Sequence, residues 1–187
     1  MENEANLAKA TEALKQDHRI IERVLAVLER LSKRPAEVPV TTWEKVLDFI
    51  RNFADKCHHL KEERIFFPAL EEHGIPREGG PIGMMLTEHE EARGYVRAMG
   101  AALTQGGGAS PSSTGDLVGN AKAYLRLLRQ HIEKEDEVLF SMADDALTLD
   151  EQKQLLREFE EHEEAEIGKG VHAKYLKIAD ELESDNL

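Results

Sequence analysis

The sequence contains little cysteine, few aromatic residues and a shortage of positive charge. Among its 187 residues there is one cysteine, Cys57, so an intramolecular disulfide is impossible and a reducing compartment is expected. Aromatic residues make up 5% of the chain, and 24 lysines and arginines are set against 37 acidic residues, which gives a net charge of −13. We expect so acidic a chain to bind no nucleic acid, because phosphate contacts need clustered cations.

Long apolar runs are missing as well. No uninterrupted apolar segment approaches the roughly 18 residues that a membrane-spanning helix needs. The first residues, MENEANLAKATEALKQDH, lack the basic and apolar regions of a secretory signal. These features predict a cytoplasmic globular protein with no membrane partner, and the chain is long enough to bury a substantial core.

Apolar residues follow helical spacing over most of the chain, and strand-like alternation is nearly absent. Segments rich in proline or glycine at 32–39, 73–81 and 104–116 separate four long helical stretches. The segment 104–116 is the longest of low complexity and is expected to be a flexible connection. A fifth, acidic helical stretch is expected to break at Gly168 or Gly170.

The ends of the predicted helices carry signals of their own. Thr41 with Glu44, and Thr148 with Glu151, have the spacing of capping boxes. Pro81 is expected at the first position of the third helix, where its missing N–H costs nothing.

These elements predict an all-α fold, an antiparallel up-down four-helix bundle with an additional C-terminal helix. Helices joined by short connections must pack together, which favours this arrangement. We expect the bundle to span residues 1–145 and an acidic helical extension, 146–187, to pack on the same domain.

Polar residues interrupt the apolar stripe of each of the four long helices. A histidine takes a stripe position in every one, and a glutamate follows one turn later in the second and fourth. In chain order these residues are His18, the pair His58 and Glu62, His89, and the pair His131 and Glu135. Beyond the two pairs the buried stripe is predicted to continue through Ile65 and Ala69 in the second helix, and through Val138 and Met142 in the fourth.

A lone histidine in an apolar stripe is more often a hydrogen-bonded core residue than a ligand. Four on separate helices, with two carboxylates one turn away on the same face, favour a metal centre. Cations would neutralise the buried carboxylates and accept the imidazole lone pairs. Six nitrogen and oxygen donors are too many for one tetrahedral zinc, and they suit iron, manganese or zinc, with the carboxylates able to bridge two ions. The Glu-x-x-His pattern of ferritin-like sites is absent.

Four segments resemble the helix motifs of the hemerythrin-like (HHE cation-binding) family. They are DHRIIERVL (17–25), HHLKEERIFFP (58–68), EHEEARGYV (88–96) and HIEKEDEVLF (131–140). The resemblance covers roughly residues 10–145 and implies a four-helix bundle around a non-haem di-iron centre. It further implies that His18 and His58 bind one iron, that His89 and His131 bind the other, and that Glu62, Glu135 and an oxo or hydroxo group bridge the two iron ions.

The sequence departs from the family's oxygen carriers at two positions. Arg93 stands where those proteins have a second third-helix histidine, and an arginine cannot ligate because it stays protonated. Glu135 lies four residues after the last histidine, where an aspartate five residues after it is usual. We therefore expect one iron to lack a ligand, and simple oxygen storage is not favoured. The substitutes considered are water and the side chains Glu22, His162, Glu163 and Glu166.

Several nearby residues admit other interpretations. His59 and Glu63 form a parallel pair on the neighbouring ridge of the second helix, so a register error of one residue stays open. Tyr124 is expected in the core, where it could hydrogen-bond a bound oxygen species. Glu88 is expected on a solvated face, with proton relay and orientation of His89 as the alternatives. The remaining expectations are that Cys57 is a small core residue and that His73 and His172 face solvent.

The function that these patterns favour is a non-haem di-iron protein binding or reacting with a small oxygen species: O2, peroxide or NO. Whether it turns over as an oxidoreductase is left open. The alternative is a structural or interaction protein in which metal ions staple the bundle without redox turnover.

Overall fold

A computed structural model describes residues 9–106, 111–166 and 168–184. Helix α1 spans Ala10–Lys33 and is followed by a 3₁₀ turn, Pro35–Glu37. Helix α2 is continuous and consists of the segments Val40–Phe49, Ile50–His59, Glu62–Phe66 and Phe67–Glu72. Helix α3 spans Pro81–Gly106, and α4 consists of Pro111–Lys134, Glu135–Leu139 and Phe140–Ala146. The C-terminal helices are α5, Leu149–Glu166, and α6, Val171–Ser184. Within the described ranges there is no strand, so the fold is all-α, as predicted.

Two of the predicted helix ends are confirmed. Helix α3 begins at Pro81. Before α5 the capping box is present, because Thr148 N–H donates to Glu151 Oε2 at 2.8 Å and Glu151 N–H donates to Thr148 Oγ1 at 3.3 Å. The break between α5 and α6 contains Gly168 and Gly170, with φ of 103° and 80°, values that favour glycine.

The predicted capping box at Thr41 and Glu44 is wrong. Helix α2 begins two residues earlier than a cap at Thr41 requires, at Val40, with Pro39 at the N-cap position and no side-chain cap. The Pro39 carbonyl already accepts the N–H of Thr42 at 3.0 Å, so the helical hydrogen bonds begin before the threonine that was expected to cap them.

The expected connection at 104–116 is much shorter than predicted. Helix α3 continues to Gly106 and α4 begins at Pro111, while residues 107–110 lie outside the described residues. Low-complexity composition suggested a loop, but Pro111 suits a first helical turn and the helix continues from it.

The buried stripe changes register inside α2 and α4. Segments Glu62–Phe66 and Glu135–Leu139 are π-helical, and each begins at a predicted glutamate ligand. A π turn holds one more residue than an α turn. After it, the buried face of the helix therefore continues at positions one residue later in the sequence than an α-helix predicts.

This shift overturns part of the predicted stripe. Val138 and Met142 are 53% and 37% exposed, and Ile65 and Ala69 are only partly buried. The positions one residue later are buried instead: Phe66, Leu70, Leu139 and Ala143.

The buried apolar residues form two clusters. The first, called here the large cluster, includes Ile21, Phe53, Val96 and Leu128. The second, called here the small cluster, includes Leu14, Phe66, Met85 and Phe140. Along each of the helices α1 to α4, the predicted metal-ligating residues fall between a member of one cluster and a member of the other.

The C-terminal helices pack on the others. Helix α5 contacts α1 and α2, and α6 contacts the same two helices. Contacts between α3 and α4 are the most extensive in the molecule. In the described part of the chain, no helix combines the length and the apolar character needed to cross a membrane.

Candidate metal centre

Six buried polar side chains meet between the large and the small cluster, and each is at most 1% exposed. They are the six predicted ligands: His18, His58, Glu62, His89, His131 and Glu135. Their donor atoms form two overlapping groups, and within each group all lie within 4.8 Å of one another. One group contains His18 and His58, the other His89 and His131, and both contain the two glutamates. This arrangement suits two ions that share two carboxylates.

The two glutamates lie between the histidine pairs. Glu135 Oε2 is 3.3 Å from His18 Nε2 and 3.1 Å from His131 Nε2. Glu62 places Oε1 3.5 Å from His58 Nε2 and Oε2 3.5 Å from His89 Nε2. Metal bonds of about 2.1 Å that meet near a right angle separate neighbouring donors by about 3 Å. The observed spacing therefore fits ligands of a common ion.

The other ring nitrogen of each histidine faces an acidic side chain. The Nδ1 to carboxylate distances are 2.7 Å for His18 and Asp136, 3.4 Å for His58 and Asp17, 2.7 Å for His89 and Glu63, and 2.9 Å for His131 and Glu88. An acid on Nδ1 fixes the ring and leaves Nε2 free to bind a metal. Glu88 thus orients His131, whereas the sequence had suggested His89 as its partner.

Within the described ranges, most of the inward-facing donor atoms have no hydrogen-bond partner; the exceptions are Nε2 of His89 and of His131, which lie 3.1 Å from each other. Among the described residues, Nε2 of His18 and of His58 and all four carboxylate oxygens of Glu62 and Glu135 lack a hydrogen-bond partner. Leaving buried polar atoms unpaired is costly, and buried charges are normally paired or bound to metal. The chemistry of this donor set fits a pair of cations.

Without a cation the cluster has to share protons. Burial and the neighbouring Glu135 raise the pKa of Glu62 well above its usual value. Burial also acts to raise the pKa of Glu135, but His131 and His18 outweigh it and hold that pKa well below normal. For His131 burial acts to lower the pKa, but the neighbouring Glu135 outweighs it and raises that pKa to about 9. Burial and repulsion from His18 lower the pKa of His58 to about 3.

None of the substitute side chains considered for the missing ligand joins the cluster. Glu22 and Glu166 are exposed. Glu163 accepts a hydrogen bond from Lys61 at 2.6 Å, and the partly buried His162 lies outside both donor groups.

Arg93 has a different role from the histidine of the oxygen carriers. Its guanidinium donates to Asp55 at 2.8 Å, to Glu63 at 2.8 Å and to Glu90 at 2.7 Å, so it holds three acids rather than a metal. His59 and Glu63, the pair that offered an alternative register for the second helix, also lie at the centre. Glu63 contacts His89, and His59, 2% exposed, has a donor atom within 4.8 Å of those of His89 and His131. The sequence signal for this was the histidine doublet itself.

A second buried polar cluster, called here the lysine cluster, lies beside the first. Lys61, 3% exposed, donates to Asp17 at 2.7 Å and to Glu163 at 2.6 Å. His172, expected to face solvent, is partly buried instead and lies 3.2 Å from Asp17. Sequence patterns did not indicate this cluster, because it forms only when α5 and α6 fold back over α1 and α2.

A cavity of about 250 Å³ lies on the His89 and His131 side of the centre. His59, Arg93, Val96 and Tyr124 are among its lining residues. Tyr124 is buried as expected, at 1% exposed, and its hydroxyl has no hydrogen-bond partner among the described residues.

Three comparisons with known proteins bear on this site. The uncharacterized proteins Rv1995 of Mycobacterium tuberculosis and Mb2018 of Mycobacterium bovis are each 25% identical to the chain over 175 residues. The matched region covers 91% of this chain and 68% of either relative. No solved structure matches the chain. The family model for the hemerythrin HHE cation-binding domain matches residues 9–143, which contain all six clustered side chains. The chain therefore belongs to the hemerythrin HHE cation-binding domain family.

Proposed function

We propose that this protein holds two iron ions and binds or reacts with a small oxygen species, namely O2, peroxide or NO. The observation that carries the proposal is the set of inward-facing donor atoms, most of them unpaired, on histidines and glutamates between the two apolar clusters. Each histidine pair would hold one ion, and Glu62 and Glu135 would contact both.

The donor set supports iron over softer alternatives. Imidazole and carboxylate suit iron, whereas thiolate ligands favour zinc or copper(I). Cys57 is buried outside the donor groups, and burial raises the pKa of its thiol, which keeps it protonated. Family membership points to a cation at this place in the fold.

Bound iron would supply electrons and an open coordination position to a small ligand. The chain supplies the surroundings. The large and small clusters exclude bulk water from the centre, and the acids on the Nδ1 atoms hold the rings in place. The neighbouring cavity offers space for a ligand of a few atoms on the His89 and His131 side.

The finer architecture belongs to the same proposal. We infer an antiparallel up-down four-helix bundle from the alternating order in which α1 to α4 pass the two clusters. Helices α1 and α3 run from the small cluster to the large one, and α2 and α4 run from the large to the small, as these pairs indicate: Leu14 and Ile21, Cys57 and Phe66, Met85 and Ala92, Ile132 and Leu139. Residues 1–145 would form this bundle and 146–187 an extension packed on it, in line with the contacts of α5 and α6.

Metal analysis of protein purified without added metal tests the proposal directly. We expect about two iron ions per chain, one for each donor group. An oxo-to-iron charge-transfer band is expected to change when azide or peroxide is added. Protein that takes up zinc alone, or no metal, would contradict the di-iron assignment.

The structural alternative makes a different set of expectations. The same clustered donors on α1 to α4 would let ions tie the four helices together without any redox role. Chelation would then cost much of the helix content measured by circular dichroism. The iron-loaded protein would show neither turnover nor a spectral response with peroxide and NO, and that combination would favour stapling.

A further inference from the structure

We propose that His59 is a fifth histidine ligand and binds the ion held by His89 and His131. This inference rests on the proposed metal centre. It supplies the ligand that one iron was expected to lack, because Arg93 replaces a histidine of the third helix. Three independent observations support it: the position of the ring, the direction of its nitrogens, and the role of Arg93.

The imidazole of His59 lies beside the second donor pair. Its ring stacks on that of His89 with centroids 4.0 Å apart and an interplanar angle of 16°. It meets the ring of His131 nearly at right angles, with centroids 5.7 Å apart. Donor atoms of the three rings lie within 4.8 Å of one another. A metal ion lies in the plane of each imidazole that binds it, so the His59 ring has to tilt out of this stack to bind. The donor-atom spacing places it close enough to share an ion with the other two once it does.

The nitrogens of His59 follow the pattern of the other four histidines. Nδ1 faces an acid, Asp55, at 3.7 Å, and in the described part of the chain neither ring nitrogen has a hydrogen-bond partner. A core histidine retained only for packing would be expected to satisfy at least one of them. A buried imidazole with an acid on one side and an unpaired nitrogen on the other is instead arranged as a metal ligand.

Arg93 links this arrangement to the position where the oxygen carriers have a histidine. It pairs with Asp55 at 2.7 Å and with Glu63 at 2.8 Å, and these two acids face His59 and His89 respectively. Arg93 is therefore a positioning residue for two rings of the second ion. The ligand missing from α3 comes from α2 in its place.

Local backbone geometry explains how two consecutive histidines both reach the centre. Side chains of consecutive residues in an α-helix point about 100° apart, so one of a pair normally leaves the buried face. His58 and His59 close the π-helical segment Ile50–His59, and both are buried with ring centroids 5.6 Å apart. His58 Nε2 lies 3.5 Å from Glu62 Oε1, and the His59 ring lies beside those of His89 and His131.

The assignment changes which ion is short of protein ligands. The second ion would have three histidines and two carboxylates, whereas the first would have His18, His58 and the same two carboxylates. The family comparison alone, with Arg93 in the place of a histidine, pointed to the second ion as the deficient one. With His59 as a ligand, the second ion is no longer the one with fewer protein ligands.

The test is anaerobic titration of the metal-free full chain with Fe(II), followed by iron per chain and optical spectra. Replacing His59 with Ala is expected to leave the first ion bound as in the parent protein and to weaken the second by about 100-fold. His73→Ala is the matched control, since His73 is an exposed histidine at the end of the same helix, and it should change neither binding step.

Two further measurements separate ligation from packing. His59→Phe keeps a ring to stack on His89 but has no nitrogen, so it should fold with unchanged helix content and still lose the second ion. Free imidazole should restore the second binding step in His59→Ala, because the cavity bordering His59 gives it access, and should do nothing for His59→Phe.

Several results would overturn the assignment. Binding of two ions with parent affinity by His59→Ala or His59→Phe would exclude His59 as a ligand while leaving the di-iron proposal intact. Equal weakening of both ions, unrelieved by imidazole, would show that His59 acts through packing. Failure of the parent protein itself to bind two ions would reject the metal centre, which is a separate outcome.

Discussion

Two buried polar clusters lie next to each other in this protein, and they solve the same electrostatic problem differently. In the lysine cluster the chain provides the cation itself, since Lys61 pairs with Asp17 and Glu163. In the metal centre two glutamates face each other with their oxygens unpaired. Buried carboxylates need a positive partner or a proton. The difference teaches that the acids of the metal centre are arranged for a cation from outside the chain.

The pKa values of the acids reflect this difference. Burial acts to raise the pKa of Asp17, but Lys61 outweighs it and holds that pKa well below normal. For Glu62 burial and Glu135 act in the same direction, and the pKa is raised well above normal. Asp17 also connects the clusters, because its carboxylate lies 3.4 Å from Nδ1 of His58.

The largest effect is expected from replacing a shared carboxylate. Glu135→Gln keeps the size of the side chain but removes the charge that faces both His18 and His131. We expect loss of both ions, measured as iron per chain falling to about one-tenth or less, because a bridging ligand serves each of them. Glu137→Gln, at an exposed position of the same π segment, is the control and should retain parent iron content. Two ions retained in Glu135→Gln would remove the central support for the site.

Breaking the other cluster should reduce stability and spare the iron. Lys61→Met keeps the apolar stem and leaves Asp17 buried without its cation. Removing one partner of a buried ion pair costs about 3 kcal/mol of unfolding free energy. Urea denaturation measures this change, with Lys56→Met on the exposed side of the same helix as control. A change below about 1 kcal/mol would mean that Asp17 finds enough compensation in His172 and His58.

The two clusters should also differ in their response to pH between 7 and 8. In the metal-free protein His131 has a pKa raised to about 9, so iron must displace its proton. Apparent iron affinity should therefore increase by about tenfold or more per pH unit in this range. Asp17 has a pKa below normal in the folded protein. Its contribution to stability is therefore complete at any pH above the pKa that it has in the unfolded chain, and it is lost only in acid. Iron affinity that stays flat, measured by competition with a chelator, would contradict the proton displacement.

The sequence was informative where geometry repeats regularly. Residues at i and i+4 share a helical face, so the pairs His58–Glu62 and His131–Glu135 could be placed in the core together with His18 and His89. The π turns were not predictable in this way, because one added residue per turn depends on tertiary packing and leaves no composition signal. The burial predicted for Val138 and Met142 was wrong for that reason, and the sequence offered His59 only in place of His58, whereas both are buried.

Contacts between distant segments were equally inaccessible. The lysine cluster joins α1, α2, α5 and α6, and no spacing rule relates Asp17 to Glu163 or His172. The two α5 carboxylates proposed as substitute ligands, Glu163 and Glu166, illustrate this. Each is paired with a cation on α2, Glu163 with Lys61 and Glu166 with Arg64, and spacing along the chain does not predict these pairs.

The smallest effect concerns the acids that face the centre from outside. Asp136 lies on Nδ1 of His18 at 2.7 Å and is partly exposed, so it orients a ligand without touching the ion site. Asp136→Asn should weaken iron binding by about tenfold, the low end for such supporting acids, and should leave the stoichiometry at the parent value. Glu22→Ala is the comparison, because Glu22 lies one turn after His18 but is exposed. The iron affinity of this variant should equal that of the parent protein. Equal effects of the two substitutions would mean that the acids act through net charge alone. An effect of Asp136→Asn without one of Glu22→Ala would show that the carboxylate on Nδ1 acts through the ring it holds.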